Sequence, residues 1–154
     1  MQAQMLAPAA VLIVWSLIMI FWIAFTRFPA VKNLAQDGGI DLGKAKAGAR
    51  GGDLDDKLPP RAVWPSHNYT HLMEQPTIFY PAVVIVAIMG ASAIDVTLAW
   101  IYVALRIVHS IWQATVNTLK VRFLLFLLST IALIVLAVRA VIATLFFDPG
   151  ALPL

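Results

Sequence analysis

Four stretches of this sequence, at about residues 6–27, 75–94, 96–118 and 122–147, carry almost no charge. Each is about as long as the 20 or so apolar residues a helix needs to cross the hydrocarbon core of a bilayer. A water-soluble domain has no use for four such runs. Composition agrees: 61% of residues are hydrophobic and 12% charged, against about half and about a quarter in soluble domains. The expectation is an all-α integral membrane protein, a single membrane domain over residues 1–154 built as a four-transmembrane-helix bundle. The first run lacks the basic flank of a signal peptide and reads as a retained helix. Pro76 and Pro81 each remove a backbone donor, which predicts a kink or a late helix start. Asp148-Pro149-Gly150 is the expected stop of the fourth helix.

Charge sets the orientation. Arg27, Lys32, Lys44, Lys46, Arg50, Lys57 and Arg61 fall between the first two runs, and Lys120 and Arg122 between the last two. Basic residues stay on the cytoplasmic side. Both termini are therefore expected in the periplasm of a bacterial inner membrane, with a long cytoplasmic first loop at about residues 30–65. That loop has six glycines between Asn33 and Arg61 and no aromatic residue, so flexibility is expected. Its Gly39–Lys44 stretch resembles a phosphate-binding loop only superficially, with the glycine spacing one short and Ala45 in place of a hydroxyl. The net charge of +3 is read as topology, and nucleic acid is not an expected partner. With no cysteine in the chain, any thiol chemistry must be brought by a ligand.

Ionisable side chains at membrane depth cost at least about 2.5–3.5 kcal/mol each, so they face a cavity or a partner. On the third helix Tyr102, Arg106, His109, Gln113 and Asn117 fall on one face at 100° per residue. Leading into the second helix, His67, His71 and Glu74 share a face if that segment is helical. Depth brings Glu74 and Arg106 within reach, and an intramembrane ion pair between them is expected, within one chain or between neighbours. Such a pair is read either as a structural bridge or as part of a ligand site. For His109 a satisfied core histidine and a site residue stand equally open. His67 and His71, near the interface, are expected in a solvated or headgroup-level role before catalysis. Arg122 is read either as snorkelling to the cytoplasmic surface or as a site residue, Arg139 is expected to snorkel to the surface opposite the loop, and the five tryptophans to serve belts and packing. The two histidines and Glu74 have the ligand types of zinc and non-haem iron, but an arginine competes for the carboxylate, and no metal is assigned.

The segment His67-Asn68-Tyr69-Thr70-His71-Leu72-Met73-Glu74-Gln75-Pro76, then Ala99-Trp100, Arg106-Ile107-Val108-His109-Ser110 and Arg122, resembles the membrane-associated proteins in eicosanoid and glutathione metabolism, the MAPEG family. Motif-level similarity covers about residues 66–81 and 97–123. The resemblance implies a homotrimer of left-handed four-helix bundles, with glutathione as cosubstrate bound between subunits near the cytoplasmic side and lipophilic small molecules entering from membrane lipid. It implies glutathione-binding roles for Glu74, Arg106, His109, His71, Asn68 and Gln113. Arg122 is implied as the catalytic cation beside the thiol, where positive charge favours thiolate.

Departures from the family pattern bear on catalysis. His71 and Thr70 stand where many members have Asn and Arg, Gln113 stands where some have Tyr, and Phe123 and Phe126 replace potential hydroxyls. The expected function is a glutathione transferase or peroxidase acting on lipophilic electrophiles. The alternatives are a non-catalytic lipid-binding or accessory protein on the same fold and, third, a small four-span exporter.

Overall fold

In the computed structural model, which describes residues 2–41, 43 and 47–146, the chain is helical throughout. The helices are α1 (Gln2–Gln36), a 3₁₀ helix (Gly51–Lys57), α2 (Pro60–Glu74), α3 (Pro76–Met89), α4 (Ala93–Thr115) and α5 (Leu119–Leu145). No strand occurs among the described residues. Four segments are long and apolar enough to cross a membrane, namely α1, the α2–α3 pair spanning Pro60–Met89, α4 and α5. Lys44, Lys46 and the Asp148-Pro149-Gly150 stop lie outside the described residues.

The second span is broken where its prolines predict. Pro76 is the first residue of α3, a position where the missing N–H costs nothing, and Gln75 at the junction donates through Nε2 to Thr130 Oγ1 of α5 at 2.7 Å. The helix α3 ends on Gly90, whose φ of 96° is in the left-handed region that glycine enters freely. Ser92 and Asp95 then cap α4 reciprocally: the Asp95 carboxylate accepts from the Ser92 N–H at 2.8 Å, and Ser92 Oγ accepts from the Asp95 N–H at 3.4 Å.

Met5, Leu12 and Met19, spaced by seven along α1, are fully buried against Phe79 and Val83 of α3 and Tyr102 and Val103 of α4. Phe79 and Tyr102 stack with ring centroids 4.3 Å apart. On α5, Leu133, Leu136 and Ala140 complete the core. Outside it stands a broad apolar surface, including Val14, Phe21, Phe25 and Phe28 on α1 and Ile134, Val138 and Val141 on α5, a surface suited to lipid.

One expectation is corrected. Arg139 does not simply reach for the surface: it grips the turn before α4, with Nε on Asp95 Oδ1, and Nη2 on Asp95 Oδ2 at 3.1 Å and on Ser92 Oγ at 3.0 Å. A buried carboxylate lies within its reach, so pairing there wins over water. The first loop, over its described part, carries secondary structure. Helix α1 runs on to Gln36 and the 3₁₀ helix folds back onto it. Alone the segment has too little apolar surface to fold, but Leu54 and Leu58 borrow Ala30, Val31 and Leu34 of α1 and Ala62 and Val63 of α2. Buried Arg27 supplies the polar half of that junction, donating from Nη2 to the Gly51 carbonyl and, at 2.7 Å, to Asp55 Oδ1. Asp55 Oδ2 lies 2.8 Å from His67 Nε2. Burial pushes the Asp55 carboxyl up, but hydrogen bonds from Arg27 and His67, with their charges, outweigh it and hold the group below its ordinary value.

Candidate functional site

The polar stripe of α4 turns inward. Tyr102, Arg106, His109 and Gln113 are all 5% exposed or less, the face being set by the helical repeat, while Asn117 falls beyond the helix end in a turn with φ 56°. Facing this stripe is α2, helical as the His67/His71/Glu74 spacing requires. Asn68 joins the two helices at depth, its Nδ2 donating to Ser110 Oγ at 2.6 Å. That bond engages Asn68 in helix packing, and it does not line the cleft described below.

Arg106, 1% exposed, donates from Nη2 to the His71 carbonyl at 2.8 Å. A backbone carbonyl carries two lone pairs, so the guanidinium finds an acceptor on the His71 carbonyl even within the helix. Within one chain the expected Glu74–Arg106 ion pair is not formed. Glu74 follows His71 by three residues around α2, and its side chain is 64% exposed, with Oε2 4.0 Å from His71 Nε2. Arg106 Nε and Nη1 are left buried with no protein partner, as are His71 Nδ1, His109 Nε2, Tyr102 Oη and Gln113 Oε1. Buried donors and acceptors are normally satisfied. Tyr102, Arg106, His109 and Gln113 carry these unpartnered atoms on the inward face of α4, and His71 on α2 opposite.

Beside this cluster is a cleft of about 130 Å³ lined by His71, His109, Leu119, Arg122, Phe123 and Phe126. The imidazole of His71 packs 5.0 Å from that of His109 and 5.1 Å from the Phe126 ring. Arg122 is oriented by Asn117, whose Oδ1 accepts from Nη1 at 2.8 Å. One guanidinium and two imidazoles, set among aromatic and aliphatic side chains, make a small pocket with a cationic wall and an apolar surround.

The structure therefore brings His71, His109 and Arg122 to one cleft, with Arg106 and Gln113 on the buried face that runs toward it. Glu74 lies outside the cleft lining, beside His71, and Asn68 is committed elsewhere. His67 turns to Asp55 and does not join His71 and Glu74; among the described residues no three His, Asp or Glu side chains gather as a metal would require. Leu119 was missed in the sequence, and Asn117, read as part of the polar stripe of the third helix, was given no part in orienting Arg122. A residue that lines a cleft with a methyl group, or aims an arginine from a turn, leaves no motif behind.

A search of the curated proteins and a search of the solved structures each return no match. The family model named MAPEG family matches residues 5–142, which takes in all four spans and every residue of the cleft. This integral membrane protein belongs to the MAPEG family.

Proposed function

We propose that the chain is a glutathione-dependent transferase or peroxidase acting on lipophilic electrophiles, with glutathione held where α2, α4 and α5 meet. The observation that carries this reading is the juxtaposition of a thiolate-favouring cleft at Arg122 with a buried guanidinium, Arg106, that has two donor nitrogens to spare. Carboxylates of the tripeptide suit Arg106, and its sulfur suits Arg122. A cleft of about 130 Å³ is smaller than the roughly 300–1,000 Å³ of small-molecule sites. The remaining wall is assigned to a neighbouring copy in a homotrimer, with the exposed Glu74 outside the cleft lining and beside His71. The lysines and arginines between the first and second spans support a site at the cytoplasmic face of a bacterial inner membrane, with both termini periplasmic, as part of this reading.

A non-catalytic lipid-binding or accessory role on the same fold is the second reading, favoured by Phe123 and Phe126, which leave the cleft without a hydroxyl. Calorimetry of detergent-purified protein with glutathione, followed by turnover of an activated aryl chloride, separates the two. Saturable binding with turnover supports the transferase. Binding without turnover supports the accessory protein, and no binding at millimolar glutathione removes the site.

A further inference from the structure

We propose that His71 is the proton acceptor for the ligand thiol, with Glu74 as the counter-charge for the imidazolium that results. This rests on the thiol reading above. The polar residues lining the cleft are His71, His109 and Arg122, and a guanidinium has no acceptor and does not release its proton. His109 is 2% exposed with Nε2 enclosed in protein. The His71 side chain is 29% exposed, and because Nδ1 is enclosed, Nε2 is its outward nitrogen. Glu74 lines no part of the cleft, which leaves His71 as the acceptor-bearing residue of the cleft with an outward nitrogen.

The step balances within the site. The S–H bond breaks and an N–H bond forms at His71 Nε2, the electron pair remaining on sulfur as thiolate beside Arg122. The new positive charge is 4.0 Å from the Glu74 carboxylate. The thiolate then forms a C–S bond to the electrophile as the leaving group departs with its electron pair, and the imidazolium returns its proton to water at the exposed edge. The charged and titratable groups around the ring are Glu74 on its own helix, Arg106 and His109 on α4, and Arg122 on α5. Arg106 holds the His71 backbone through the carbonyl, so the ring is presented from a fixed main chain.

The test uses full-length protein with glutathione and an activated aryl chloride. In wild type at neutral pH, the ultraviolet thiolate band is expected on binding, while calorimetry in two buffers of different ionisation enthalpy shows far less than one proton released per thiolate. One released proton per thiolate overturns the assignment. In His71→Gln, glutathione affinity is expected to stay within about threefold while kcat falls about 100-fold, at the lower end of what a positioned general base contributes, and the acidic limb of the pH–rate profile disappears. An unchanged pH profile and kcat, or loss of affinity in step with kcat, overturns it. The proton count on wild type stands whether or not the variant folds. Failure of wild type to bind glutathione at all removes the thiol reading itself, and this proposal with it.

Discussion

The Arg106 guanidinium is bonded to the backbone carbonyl of His71 at 2.8 Å, and not to the carboxylate of Glu74. A backbone carbonyl has a second lone pair to offer, so one donor of the buried charge on α4 is satisfied without consuming an acid. Glu74 turns instead toward His71 Nε2, 4.0 Å away, and Arg106 Nε and Nη1 keep no protein partner.

From this follows a contrast between the two arginines. Arg106→Ala is expected to weaken glutathione binding by about 10- to 100-fold, the equivalent of one hydrogen bond to a charged group at about 1.5–3 kcal/mol, with a smaller effect on kcat at saturation. Arg122→Ala is expected to lower kcat by a larger factor than it raises Kd. Calorimetry beside steady-state kinetics separates ground-state from transition-state loss; equal effects in both variants would falsify the division of roles.

The aromatic lining of the cleft gives a gain-of-function prediction. Phe126 packs against both imidazoles, with ring centroids 5.1 Å from His71 and 6.4 Å from His109. A Tyr at this position adds a hydroxyl to a site whose other walls at Leu119 and Phe123 donate nothing. Phe126→Tyr is expected to stabilise the bound thiolate and raise turnover roughly tenfold, since a hydrogen bond to a charged acceptor contributes about 1.5–3 kcal/mol. The intensity of the thiolate band at neutral pH is the direct check, and a band no stronger than in wild type removes the prediction.

Spans and site differ in how much of them could be read from residues alone. Long uncharged runs and the 100° periodicity of Tyr102, Arg106, His109 and Gln113 are local patterns, and all four side chains do turn inward. Pairing is not local. Arg27 and Asp55 are 28 residues apart, and Asp95 and Arg139 are 44 apart, so nothing in their spacing announces either contact. Pairing by depth alone favoured Glu74 for Arg106 because side-chain charge is visible in a sequence, whereas a backbone carbonyl with a lone pair to spare is not. Glycine content likewise suggested a flexible first loop and says nothing of the apolar strip Ala30, Val31 and Leu34 against which Leu54 and Leu58 pack, because that strip belongs to another element.

At the end of the bundle away from that loop, one carboxylate does two jobs. Asp95, 3% exposed, completes the cap of α4 and anchors Arg139 of α5. Asp95→Asn is expected to cost about 1.5–3 kcal/mol, because the amide keeps the shape and loses the charge that Arg139 meets. Ser92→Ala, which removes the cap hydroxyl and the bond it accepts from Arg139 Nη2 but leaves the Asp95–Arg139 ion pair, is expected to cost about 0.5–2 kcal/mol. Thermal midpoints in detergent, with far-ultraviolet dichroism to show retained helix, measure both. If Asp95→Asn proved no worse than Ser92→Ala, the clamp on α5 would carry no weight of its own.

The Arg27–Asp55–His67 junction makes an acid-sensitivity prediction. Asp55 is held below its ordinary pKa by its partners despite burial, so its carboxylate form binds the fold more tightly than its protonated form. Stability from such a group is fully present well above the unfolded-state pKa of about 3.9 and is lost as pH falls through the lower folded-state value. Asp55→Asn is therefore expected to lower stability at neutral pH by about 1.5–3 kcal/mol, chiefly because Arg27, 9% exposed, loses its charged partner. The gap between wild type and Asp55→Asn should hold steady from pH 7 to about pH 5 and close on further acidification. Thermal midpoints of both proteins across that range decide it. A gap that stayed open at the acid end would place the worth of Asp55 in its shape and not in its charge, and a gap absent at pH 7 would show that Leu54 and Leu58 hold the 3₁₀ helix on α1 without it.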